Sequence, residues 1–92
     1  MADISLQQHT TKPVEEVRNI INDISGDLSA KYGIQSKWLD DRHVAFKRQG
    51  LTGKLVIEEQ RVNINMKLGL LLNAFAQTIK VELKRAMQEK LG

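Results

Sequence analysis

From Asp3 to Gln8 apolar and polar residues alternate, with Ile4 and Leu6 to one side and Ser5 and Gln7 to the other. This is the period-two signature of a half-buried strand, here short enough to read as a sheet edge. His9-Thr10-Thr11 leads into Lys12-Pro13-Val14-Glu15-Glu16. There a threonine is placed to cap, proline stands in a first turn where its missing N–H costs nothing, and two glutamates favour a helix N-terminus. Val14, Val17, Ile21, Ile24 and Leu28 then recur at spacings of three and four, with Ile20 widening the stripe. That spacing predicts a helix from about Pro13 whose apolar face covers a core, and Tyr32-Gly33 supplies the glycine expected just past its end.

From residue 34 the period changes to two. Ile34, Ser36 and Trp38 alternate with Gln35, Lys37 and Leu39; after the polar turn Asp40-Asp41, Val44 and Phe46 alternate with His43, Ala45 and Lys47. Gly50-Leu51-Thr52-Gly53 reads as the next turn, with glycines taking positive φ. Leu55 and Ile57 follow in alternation, and past Glu58-Glu59-Gln60 the pattern Val62, Ile64, Met66, Leu68 is the cleanest in the chain. One-sided alternation in successive strands predicts an antiparallel meander with one dry face and one wet face. Gly69 ends the last strand, and residues 70–91 run helically, with Leu72, Phe75, Ala76, Ile79, Leu83 and Ala86 on one side. The order β-α-β-β-β-β-α is that of an α+β single domain over residues 1–92, with two helices packed on one face of the sheet.

Ninety-two residues with 41% hydrophobic content supply one core. A large internal cavity in so short a chain needs a second subunit to wall it, which leaves a homodimer open. The absence of cysteine excludes a disulfide framework, a thiolate metal site and a cysteine nucleophile, and suits a reducing compartment. No basic segment followed by an apolar run opens the chain, and the longest apolar cluster is Leu70-Leu71-Leu72. The expectation is a cytoplasmic protein with no transmembrane segment.

Reactive constellations are scarce. His9 and His43 fall in different strands without a third ligand, so no metal is expected. The pairs Glu15-Glu16, Asp40-Asp41 and Glu58-Glu59 stand at a helix start or in hairpin turns, where solvated acids are ordinary and no apolar pocket raises a pKa. Gly50-x-x-Gly53-Lys54 has too short a glycine spacing for a phosphate-binding loop, and it joins strands rather than helices. No catalytic or cofactor-binding residue is expected, and no enzyme activity. The wet face of the sheet is more informative: Lys37, His43, Lys47, Lys54, Arg61 and Lys67 project from it with little beyond Glu58 to neutralise them. Such a platform suits a few nucleotides or an acidic protein patch, although the lack of outward aromatics argues against nucleic acid. On the last helix, Leu71 and Met87 lie at the edge of the core stripe and are left for an apolar partner.

The string Trp38, acidic turn, Val44-x-Phe46-x-Arg48-x-Gly50-x-x-Gly53, then Val62-x-Ile64-x-Met66-x-Leu68-Gly69 before a leucine-rich helix start, resembles the family of polyhydroxyalkanoic acid system proteins. These are small bacterial proteins named for the gene region of polyhydroxyalkanoate storage granules. The resemblance implies a non-enzymatic accessory or regulatory role in granule metabolism, through binding to the granule surface or a granule-associated protein, and it brings no catalytic residues. The arrangement is also similar to a reduced helix-grip fold, in which a long C-terminal helix lies across a curved sheet. A small acyl-ligand or lipid-binding module using that groove is one alternative, and a nucleic-acid binder using the basic face is another.

Overall fold

The computed structural model describes residues 2–92. In it the alternating segments become β1 (Ala2–His9), β2 (Gln35–Asp40), β3 (His43–Arg48), β4 (Leu51–Glu58) and β5 (Arg61–Leu68) of one antiparallel sheet. The strand order is β1-β5-β4-β3-β2, so β2 to β5 form the expected meander and β1 adds beyond β5 as an edge. Two helices, α1 (Val14–Tyr32) and α2 (Ala76–Leu91), share one face, α2 nearest β1 and α1 nearest β2. Register stacks the inward residues into rows. One runs Leu6, Ile64, Leu55, Val44, Trp38 across all five strands, and the next runs Ile4, Met66, Gly53, Phe46, Ser36.

The ends of α1 are fixed without a side-chain cap. Thr10 is buried and its amide donates to the Gln60 carbonyl at 3.0 Å, tying β1 to the β4–β5 turn. Its hydroxyl accepts from the Lys12 amide rather than from the helix, which starts with Pro13 in the cap position. At the other end Gly33, at φ 68°, allows its own N–H to reach the Ser29 carbonyl while the Ile34 N–H reaches Leu28. That pairing satisfies two orphan carbonyls, and Ile34 is fully buried beside them. Arg48, in phase with the inward residues Val44 and Phe46, donates from Nη1 to the Tyr32 carbonyl at 2.6 Å, setting a cation at the negative end of α1.

Two of the three meander turns differ from expectation in detail: the β2–β3 turn is Asp41-Arg42, with Asp40 the last residue of β2. The β2–β3 hairpin lacks a glycine because the Asp40 side chain does that work: its Oδ1 accepts the Arg42 amide at 2.8 Å. This bond, with help from the His43 imidazole, holds the Asp40 carboxyl below its ordinary range. The β3–β4 turn is Gln49-Gly50, and only Gly50 takes a positive φ, 84°. Thr52 and Gly53 belong to β4. Gly53 is required by close packing, since a Cβ there would stand 2.7 Å from Met66 Cγ.

The C-terminal helix begins as a 3-10 segment, Leu70–Phe75, and becomes α-helical at Ala76. Its core stripe is Ile79, Leu83, Met87 and Leu91, an i+4 row. Met87 is therefore a core residue, 2% exposed, and is no edge residue left for a partner. Phe75 is the reverse case: expected in the core, it is half exposed.

Where the helices meet, the Tyr32 hydroxyl donates to Glu82 Oε2 at 2.8 Å, and Lys31 Nζ lies 3.7 Å from the same oxygen. Burial first, then the hydrogen bond to Glu82 and its negative charge, pushes the Tyr32 phenol up to about 12. The folded state thus favours the neutral phenol. Its stabilising contribution is full below the unfolded value of about 10 and is lost as pH rises through 12. Tyr32 is the single tyrosine, so a tyrosinate absorbance titration reads it directly. The midpoint should fall near 12 in the wild type and move part of the way towards 10 in Glu82→Gln, because burial persists. A wild-type midpoint near 10 would show the hydroxyl to be free.

Candidate functional site

Two surfaces stand apart from the rest. The first is the end of the molecule built by the 3-10 segment and the β3–β4 turn. The Gly69 N–H donates to the Gly50 carbonyl at 2.7 Å, and the Leu72 N–H donates to the Gly69 carbonyl, which anchors the segment against the turn. Successive residues of a 3-10 helix point about 120° apart. With Leu72 turned into the core, Leu70 and Leu71 cannot follow it, and they stand 85% and 63% exposed. Phe75, one turn beyond Leu72, lies over the rim of the core and lines a cleft with Lys31, Tyr32 and Arg48. Three large apolar side chains within six residues are thus in water. Lys31 and Arg48 flank Phe75, and Lys67 and Thr52 border the neighbouring hollow at Gly50 and Gly69.

The second surface is the outer face of the sheet, where the six basic residues singled out by periodicity do lie. Structure divides them. His43 Nδ1 is 2.8 Å from Asp40 Oδ1, and Arg61 donates to Glu58 Oε2 at 2.9 Å. Glu58 also accepts from Asn63. Lys37, Lys47, Lys54 and Lys67 are exposed, and none of them has an ion-pair partner among the described residues. Two of the outward rows are Asp3, Lys67, Thr52, Lys47, Gln35 and Ser5, Asn65, Lys54, Ala45, Lys37. No aromatic residue stands in either.

The space between α2 and the sheet is filled by core side chains. A hollow between α1 and α2, bounded by Ile24, Leu28, Glu82 and Leu83 among others, has about 70 Å³. Ligand pockets for drug-sized molecules are roughly 300–1,000 Å³, so an acyl chain has no preformed groove there. The larger hollow, about 620 Å³, is an open depression at the C-terminal end of α1, lined by Tyr32, Gly33, Gln35, Lys47, Arg48 and Gln49. Among the described residues no cluster of three or more His, Cys, Asp or Glu could hold a metal ion, and no helix is long and apolar enough to cross a membrane.

Of the residues expected to bind a partner, Leu71 is confirmed as exposed and Met87 is not. Periodicity does not single out Leu70, which stands in an unbroken run of three leucines, or Phe75, which shares the phase of Leu72 and is exposed because it lies over the rim of the core. Arg48 carries one signal, a cation in the inward phase of β3, two residues past Phe46.

Comparison with curated proteins and with solved structures yields no match, so the helix-grip likeness has no structural neighbour to support it. A family model described as "putative polyhydroxyalkanoic acid system protein" matches residues 4–91. Since that match spans nearly the whole chain, the protein belongs to the polyhydroxyalkanoic acid system family.

Proposed function

We propose that the protein is a non-enzymatic accessory of the polyhydroxyalkanoate system that docks on the storage granule, or on a protein coating it, through the Leu70, Leu71 and Phe75 end. The observation that carries this reading is the exposure of those three side chains on one short, anchored segment. A leucine moved from water into an apolar surface gains roughly 1.5–3 kcal/mol, so nothing in the fold itself rewards leaving Leu70 outside. The family supplies the setting, the polyhydroxyalkanoate system, and an apolar particle in water is the kind of surface against which such an end gains by burial.

The test is co-sedimentation with purified polymer granules at low and high salt. Wild type should pellet at both, because apolar burial is not screened. The double variant Leu70→Ser/Leu71→Ser, which changes only exposed side chains, should keep its melting temperature. Its granule association should weaken at least roughly tenfold, since about 1.4 kcal/mol is one decade. A wild type that stays in the supernatant, or a double variant that pellets like it, overturns the docking surface.

A further inference from the structure

The four unpaired lysines of the outer face are not scattered. Lys67 is on β5, Lys54 on β4, Lys47 on β3 and Lys37 on β2, one to each of four adjacent strands. Register sets them in two neighbouring rows by turns: Lys67 and Lys47 flank Thr52 in one, and Lys54 and Lys37 flank Ala45 in the other. Each lysine is therefore the diagonal neighbour of the next, about 7–8 Å away. The result is a zigzag of charge running across the strands. With strands about 4.8 Å apart it is roughly 14 Å wide.

We propose that this face is a sequence-independent site for double-stranded nucleic acid, the four lysines following the phosphates of one strand. Charge complementarity carries the assignment. Successive phosphates of one strand advance about 3.4 Å along the axis and wind about it, so they lie roughly twice that apart through space, close to the step of about 7–8 Å between diagonal lysines. Lysine is a flexible point charge that meets a phosphate without a fixed geometry. The acids of this face do not break the track: Glu58 is engaged by Arg61 and Asn63, Asp40 lies in the β2–β3 hairpin against His43, and Asp3 stands beyond Lys67 on the edge strand. The face also selects the form of nucleic acid. Single-strand sites gain much of their affinity by stacking unpaired bases on aromatic rings, and the outward rows hold Thr52, Ala45, Asn65, Gln35 and Ser5 in their place. A duplex, whose bases are already stacked, loses nothing here.

The experiment is fluorescence anisotropy with a labelled 20-base-pair duplex, the corresponding single strand and a polyglutamate chain as the acidic-protein probe, between 50 and 200 mM salt. Four phosphate contacts predict a slope of log K against log salt of roughly −3 to −4, and hence about 100-fold weaker duplex binding at the higher salt. K37Q/K47Q/K54Q/K67Q should keep the wild-type melting temperature and lose duplex binding. Leu70→Ser/Leu71→Ser should bind duplex like the wild type, which separates this site from the granule-docking end. The proposal is overturned by absence of duplex binding at 50 mM salt, by retention of binding in the quadruple variant, or by tighter binding of the single strand or of polyglutamate.

Discussion

Replacing Phe46 with alanine should lower the melting temperature by roughly 12–40 °C, the largest effect expected of a single side chain in this protein. Phe46 is 2% exposed, and deletion of a buried phenyl group costs about 3–5 kcal/mol because transfer and cavity terms add. The upper half of that range is expected from the neighbours. In its row Phe46 has Gly53 on one side and Ser36 on the other, so neither directly facing position holds a side chain large enough to fill the void. A domain of this size has about 5–15 kcal/mol in all, and each kcal/mol moves the midpoint by roughly 4–8 °C. Leu39→Ala, on the opposite face of the sheet and half exposed, is the control and should stay within about 0.5 kcal/mol of wild type. A Phe46→Ala protein that melts with the control would mean that the two faces have been exchanged.

That experiment probes what periodicity makes legible. Alternation along β5 and the three-and-four spacing along α1 are local properties, each written by a single burial direction, and Val62, Ile64, Met66, Leu68, Val17, Ile21, Ile24 and Leu28 are all buried as that logic requires. The pairing of β1 with β5 is a different matter, because it joins the two ends of the sheet sequence and no short-range pattern encodes it. The same division explains the C-terminal helix. Met87 continues the i+4 row of Ile79 and Leu83 and is buried as that local spacing requires, whereas Phe75, in phase with Leu72, is exposed because it overhangs the rim of the core, which no spacing encodes.

For the outer face, strand phase alone finds the basic residues. Their sorting into paired and unpaired needs the turns: Asp40 meets His43, and Glu58 meets Arg61, across the two hairpins that begin with those acids. The lysine zigzag needs register as well, since a slip of one residue in any strand would turn its lysine to the helix side. Apolar and cationic surfaces then occupy different parts of one small body, the first at the 3-10 end and the second over the open sheet. Granule docking and duplex binding, as proposed, use surfaces that adjoin at Lys67, which borders the hollow at Gly50 and Gly69. The variants at Leu70 and Leu71 and those at the lysines test these two capacities separately.

Gly53 offers the second large effect, and here the sign of the result is the evidence. In a strand without steric conflict, valine should be better than glycine. The β-propensity scale spans about 1 kcal/mol with valine near its favourable end, and removing a glycine also restricts the unfolded chain by roughly 0.4–1 kcal/mol. Gly53→Val is nonetheless expected to destabilise by about 2 kcal/mol. A Cβ at residue 53 would stand 2.7 Å from Met66 Cγ and 3.0 Å from the Asn65 carbonyl oxygen. The first is the middle of a buried side chain and the second is backbone, so neither moves cheaply. Overpacking of this kind costs about 1–3 kcal/mol before valine adds its two methyl groups. Met66 faces Gly53 directly across β4 and β5, which gives a way to identify the cause. Met66→Ala opens the space that the valine needs, so Gly53→Val/Met66→Ala should be less destabilised than the sum of its single variants by roughly 1 kcal/mol or more. A turn glycine would behave otherwise, because strain in a left-handed backbone is not relieved by shortening a side chain on the next strand. Chemical denaturation of the four proteins measures the coupling. Strict additivity would show that the collision with Met66 is not what keeps residue 53 a glycine.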